Sequence, residues 1–180
     1  HDDTWEWDGD TWVERTPDGP RPSGGSMAYD SARGVSVLLQ GYETWEWDGE
    51  TWVERTPEGP RPSGGSLAYD SARGVTVRFK DSEIWEWDGD SWTLRVSEGP
   101  APLPDTNVPI AYDTNAPIVY DATRGVSVLF FGDETWEWDG ESWAERTPEG
   151  PVPSFRYGHA MVYDNDRGVT VLFGGTDPNA

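Results

Sequence analysis

TWEWDG, Thr4 to Gly9, is the stretch on which the reading of this 180-residue chain turns. It recurs at Thr44–Gly49 and Thr135–Gly140, and as IWEWDG at Ile84–Gly89. A further tryptophan follows each copy at a fixed distance, as Trp12, Trp52, Trp92 and Trp143, so all twelve tryptophans belong to one repeated unit. The leading tryptophans, Trp5, Trp45, Trp85 and Trp136, lie 40, 40 and 51 residues apart. Counted through joined ends, the step from Trp136 to Trp5 is 49, so four steps use the whole chain. A period of this size indicates a repeat architecture and has to be settled before any single motif is weighed.

Each unit reads as four short strands, a to d. In the second unit these are SLAYD (66–70), VTVRF (75–79), IWEWD (84–88) and SWTLRV (91–96). β-Branched and aromatic residues alternate in short runs broken by Gly, Pro and Asp, and helix signals are lacking. DG followed by Asp or Glu makes a tight c–d hairpin, because glycine accepts the positive φ such turns need. Four strands in about 40 residues, repeated in tandem, are the signature of a β-propeller. The chain starts inside the fourth unit with strands c and d and ends with that unit's strands a and b. The sequence therefore predicts an all-β, four-bladed propeller of four-stranded antiparallel blades, the last closed by pairing of the N-terminal c and d strands with the C-terminal a and b strands. Blade 1 spans about 20–57, blade 2 about 60–97, blade 3 about 100–148, and blade 4 151–180 with 1–17.

The last unit, FRYGHAMVYDNDRGVTVLFGG (155–175), followed by TWEWDGDTWVERTP, resembles a bacterial kelch repeat in its Arg–x–Gly–His start, its double glycine after strand b and its strand-d tryptophan. The other units depart from that pattern. Their double-glycine positions read Gln40-Gly41, Lys80-Asp81 and Phe131-Gly132, and their histidine positions read Gly25, Gly65 and Ala116. The resemblance implies fold far more than function, because such propellers host many activities. It favours a secreted or extracytoplasmic bacterial setting. Galactose oxidase carries a kelch domain and a copper-bound cysteine–tyrosine cofactor, which this chain cannot form without cysteine.

Composition narrows the classes further. The net charge of −21 opposes nucleic acid and anionic membrane surfaces. The absence of cysteine excludes disulfides, thiolate metal sites and cysteine nucleophiles. No run suits a membrane span and no signal peptide is visible, while the start at His1 without methionine reads as processing or trimming. A monomer is expected.

Residues present four times are read as scaffold. The tryptophans fill the wide wedge between four splayed blades. Asp30 and Arg33, with Asp70/Arg73, Asp121/Arg124 and Asp164/Arg167, clamp the a–b turns, and Arg15, Arg55, Arg95 and Arg146 face a glutamate such as Glu6. Function is sought where the repeats disagree. Units one and two share 30 of 37 positions over 4–40 and 44–80, and their non-conservative differences are adjacent: Leu38-Leu39-Gln40 against Arg78-Phe79-Lys80. All length variation falls in the d–a and b–c loops, which emerge on one face, the top. The five cations outside the scaffold, Arg21, Arg61, Arg78, Lys80 and Arg156, map there too.

The leading expectation is a non-enzymatic binding module whose top face or channel mouth takes an anionic small molecule, glycan or peptide. Its pocket would be walled by Gln40, Tyr42, Arg78, Lys80, Phe131, Arg156, Tyr157 and His159. An alternative is a lyase, hydrolase or metal-dependent enzyme at the channel mouth, with His159, Tyr157 and Arg156 as acid–base candidates. Another is a structural or protein-contact propeller using the long blade-3 loop. No cofactor is required by the sequence. Ca²⁺ or another ion could sit in the channel or in the blade-4 loop near His1, Asp2, Asp3, Asp177 and Asn179.

Overall fold

A computed structural model describes residues 2–97, 99–103 and 116–177. Regular structure among them is all strand. Blade 1 is β3 (Ser26–Asp30), β4 (Val35–Gln40), β5 (Glu43–Trp47) and β6 (Trp52–Arg55). Blade 2 is β7 (Ser66–Asp70), β8 (Val75–Lys80), β9 (Glu83–Trp87) and β10 (Trp92–Arg95). Blade 3 is β11 (Ile118–Asp121), β12 (Val126–Phe131), β13 (Glu134–Trp138) and β14 (Trp143–Arg146). The fourth set is split between β1 (Thr4–Trp7) with β2 (Trp12–Arg15) and β15 (Tyr157–Asp164) with β16 (Val169–Thr176). Three sheets are thus four-stranded and antiparallel, and two are two-stranded. The strand content and order are those of a four-bladed β-propeller.

The turns follow from their aspartates. In each c–d turn the aspartate side chain caps the chain ahead of it: Asp48 Oδ1 accepts the N–H groups of Glu50 and Thr51, both at 2.8 Å, and Gly49 takes φ of 98°. In each a–b turn Asp30 Oδ1 or its equivalent accepts backbone N–H groups, while Oδ2 accepts from the arginine three residues on, at 2.6 to 2.7 Å in all four copies. The predicted turn clamps are present.

Blades are joined by one repeated device. Glu46 is buried in strand c. It accepts from Arg33 at 2.5 Å and from Arg55 at 2.7 Å, and also from the indole N–H of Trp87 in the next blade at 3.1 Å. Glu86 does the same with Arg73, Arg95 and Trp138, and Glu6 accepts from Arg15 and Trp47. A second indole bond reaches the previous blade's threonine: Trp52 to Thr4 and Trp92 to Thr44, both 2.8 Å. Around these bonds the rings pack. Trp85, Trp87 and Trp92 bury with Val37, Leu39 and Leu67, and Trp136, Trp138 and Trp143 with Phe79, Ile84 and Phe131. Each such ring removes roughly 200 Å² from water, which supports the sequence assignment of the tryptophans to the wedges between blades.

No ladder joins β1–β2 to β15–β16 among the described residues. Each hairpin packs on its neighbour along the chain: β1–β2 on blade 1 through the Glu6 and Thr4 bonds, β15–β16 on blade 3. Trp5, Trp7 and Trp12 are consequently 48, 51 and 62% exposed, whereas the other nine tryptophans are at 8% or less.

Candidate functional site

The top face is built by the b–c and d–a loops, and the repeats diverge there in a coordinated way. In blade 1 Gly25 has φ of 137°, and a Cβ on it would lie 2.5 Å from the Leu39 carbonyl oxygen. In blade 2 Gly65 has φ of 109°, with Arg78 Nε and the Phe79 carbonyl both at 2.7 Å. The bulk sits across the ladder instead, on Gln40 and Lys80. In blade 4 the arrangement is inverted: His159 stands opposite Gly174. The glycines answer local crowding and backbone conformation.

Arg78 is buried. Its guanidinium donates to the Gly64 carbonyl at 2.6 Å and the Ser63 carbonyl at 2.8 Å, and Glu83 lies 3.6 Å away. Burial pushes its pKa down, and Glu83 and Asp81 offset part of that. Arg78 thus ties down the d–a loop of its own blade. Gln40 does the corresponding work in blade 1: its Oε1 accepts the Ser23 N–H at 2.7 Å and its Nε2 donates to Ser23 Oγ. Phe131 lies in the core, edge-on to Phe79 with ring centroids 5.8 Å apart, so it offers no surface to a ligand. Tyr42 is exposed on the b–c turn of blade 1. Arg156 is occupied by the Ser154 and Gly174 carbonyls and the Ser154 hydroxyl.

His159 is 6% exposed and edge-on to Phe130 at 5.5 Å, and neither ring nitrogen has a hydrogen-bond partner among the described residues. Burial, then the charge of Arg156, holds its pKa below the ordinary imidazole value. Tyr157 precedes it on β15, paired with Thr176. The eight predicted residues are therefore dispersed over four blades, and only Lys80 lines a described cleft.

That cleft, of about 420 Å³, lies between blades 1 and 2 and is lined by Gly25, Ser26, Leu39, Gly41, Gly64, Gly65, Ser66 and Lys80. Its floor is mostly backbone. Lys80 Nζ donates to the Ser63 carbonyl at 3.2 Å and lies 4.0 Å from Asp81, with the side chain partly exposed. The turn that follows Lys80 is strained: Asp81 and Ser82 take φ of 52° and 65°, the only positive values at non-glycine positions among the described residues. Ser82 Oγ is buried there without a hydrogen-bond partner among the described residues. Sequence comparison of the repeats singles out Lys80. It missed the strained turn and the glycine floor, although Asp81-Ser82 standing where unit one has Gly41-Tyr42 was the available signal. A somewhat larger groove of about 480 Å³ runs along the outer rim between β6 and the β9–β10 turn, but its walls, Arg55, Trp87 and Gly89 among them, belong to the repeated scaffold.

Asp2, Asp3 and Asp177 fall in no group of three or more His, Cys, Asp or Glu able to hold an ion among the described residues. His1 and Asn179, the other two ligands considered, lie outside those residues, as does 104–115 of the blade-3 loop. No described helix is long and apolar enough to cross a membrane. No family model matches the chain, and no curated protein matches it.

Proposed function

We propose that this protein is a non-enzymatic binding module of kelch-like type whose top face takes a small anionic ligand, a carboxylate- or phosphate-bearing molecule such as an acidic sugar. The observation that carries this reading is the position of Lys80. The only lysine of a chain with net charge −21 lines a glycine-floored cleft, beside the strained Asp81-Ser82 turn. A lysine ammonium is a compact charge with three donors, and one of them engages Ser63. Glycines let an anion approach backbone N–H groups closely. In a chain of net charge −21, an anion entering here gains chiefly from the Lys80 ammonium.

Lys80→Gln tests it. Isothermal titration with inorganic phosphate and with glucuronate is expected to show saturable binding to the wild type. The variant, identical in circular dichroism, should lose about tenfold or more in affinity, the worth of one charge-assisted hydrogen bond. Equal affinities for the two proteins would remove Lys80 from the site and the reading with it.

A further inference from the structure

The interface between blades 2 and 3 departs from that between blades 1 and 2 at positions that meet in space. A cleft of about 270 Å³ lies between β9–β10 of blade 2, the loop that follows them, and Trp143 of blade 3. Four residues lining it break the repeat together. Ile84 stands where the other units have Thr4, Thr44 and Thr135, and Leu94 where they have Glu14, Glu54 and Glu145. Val96 stands where they have Thr16, Thr56 and Thr147, and Ser97 where they have Pro17, Pro57 and Pro148. Three polar side chains have become apolar, and a ring has become a hydroxymethyl group. Val96 is 80% exposed and Leu94 is 41%. The charged residues on the same walls are already engaged: Arg95 by Glu86 at 2.6 Å, and Glu83 by the Trp85 indole at 3.0 Å.

The change at Ile84 strands a donor. Trp52 gives its indole N–H to Thr4 and Trp92 gives its own to Thr44, both at 2.8 Å. Trp143 is the equivalent ring and is held the same way, 5.5 Å from Trp138 as Trp92 is from Trp87. Where those two rings find a threonine hydroxyl, Trp143 finds Ile84, whose side chain has no acceptor. Trp143 is 4% exposed, and its indole N–H has no hydrogen-bond partner among the described residues. Ser82 Oγ, on the same cleft, is a second such atom, carried there by the turn with φ of 65°. A buried donor left unmet costs more than the bond itself contributes.

We propose that this cleft binds a small neutral carbonyl compound, an N-acyl amide whose oxygen accepts from the Trp143 indole N–H and the Ser82 hydroxyl. Its alkyl ends lie on Leu94 and Val96, which stand where the other units carry glutamate and threonine. An amide oxygen is the strongest acceptor a neutral carbonyl offers, and no unpaired charge in the walls calls for an ion. The volume lies just under the roughly 300 Å³ at which pockets begin to take drug-sized ligands, so an acyl group with short substituents fits it. The site is independent of the Lys80 cleft: it belongs to another interface and favours a neutral ligand over an anion.

Proton–nitrogen correlation spectra read the assigned indole N–H signals directly. N-Isopropylacetamide titrated into the wild type should move the Trp143 signal downfield until it saturates. The Trp92 signal, already bonded to Thr44, should stay in place and serves as the internal control. Ile84→Thr restores the residue of the other units and gives Trp143 its own hydroxyl partner. That variant should keep the fold, show the Trp143 signal downfield before any amide is added, and bind about fivefold or more weakly, the worth of one hydrogen bond. Lys80→Gln should leave the titration unchanged. A wild-type Trp143 signal that does not move, as when the cleft holds water alone, overturns the proposal. So does an Ile84→Thr variant that binds N-isopropylacetamide as tightly as the wild type.

Discussion

The buried glutamate of strand c should be the largest single electrostatic contribution to holding one blade on the next, and the repeats supply their own control. Glu46 is 2% exposed and accepts three bonds, from Arg33, Arg55 and the Trp87 indole of the next blade. Glu46→Gln keeps the shape but removes the charge, and turns an NH₂ group toward a guanidinium. Removing one partner of a buried ion pair costs about 3–5 kcal/mol. The two arginine side chains are 31 and 44% exposed and can turn to water, which brings the expected loss to the low end, about 3 kcal/mol. For a domain of this length that corresponds to a fall of about 6–12 °C in Tm. Glu6→Gln makes the same chemical change in β1, where the Glu6 side chain is 36% exposed and has one arginine partner among the described residues, so its effect should be much smaller. The measurement is thermal unfolding followed by tryptophan emission. A Glu46→Gln loss no larger than that of Glu6→Gln would refute the idea that the glutamate joins the blades.

Two further outcomes are expected. Arg78→Leu should cost about 2–3 kcal/mol by leaving the Gly64 carbonyl without its donor and the Ser63 carbonyl with Lys80 alone. Adding Lys80→Gln should recover about 1 kcal/mol, since the introduced glutamine can then hold the Ser63 loop as Gln40 holds Ser23, and a denaturant double-mutant cycle reads this coupling. Additive losses would count against the loop-clamp account. For His159, a folded-state pKa below the unfolded value means stability that is full above pH about 6.5 and is lost as pH falls through that value toward the folded one. His159→Phe, which fills the same space beside Phe130, should unfold with less change in Tm between about pH 7.5 and 5 than the wild type. An unchanged difference would mean that the imidazole is not held neutral.

Much of this fold is legible in the sequence because the repeats impose it four times. The aspartate turns, the Asp–Arg clamps and the pairing of Arg15, Arg55, Arg95 and Arg146 with the strand-c glutamates are local or nearly so, within nine residues or fewer. The candidate site was harder to read. Arg78 and Phe131 stand out as departures from the repeat, but a departure does not say which way a side chain points. The aligned positions carried part of the answer. Arg78 stands where Leu38 and Leu129 do, which marks the position as interior, and the structure places it there. The opposition of Gly25 to Gln40, Gly65 to Lys80 and His159 to Gly174 becomes intelligible only once the register is known, because it is compensation across a ladder rather than a feature of either strand.

Ionic strength tests the top-face reading without any substitution. A contact to the Lys80 ammonium, partly exposed at the cleft, weakens as salt shortens the screening length. Affinity for phosphate should therefore fall from low to high salt, and an affinity indifferent to salt would take the ammonium out of the site.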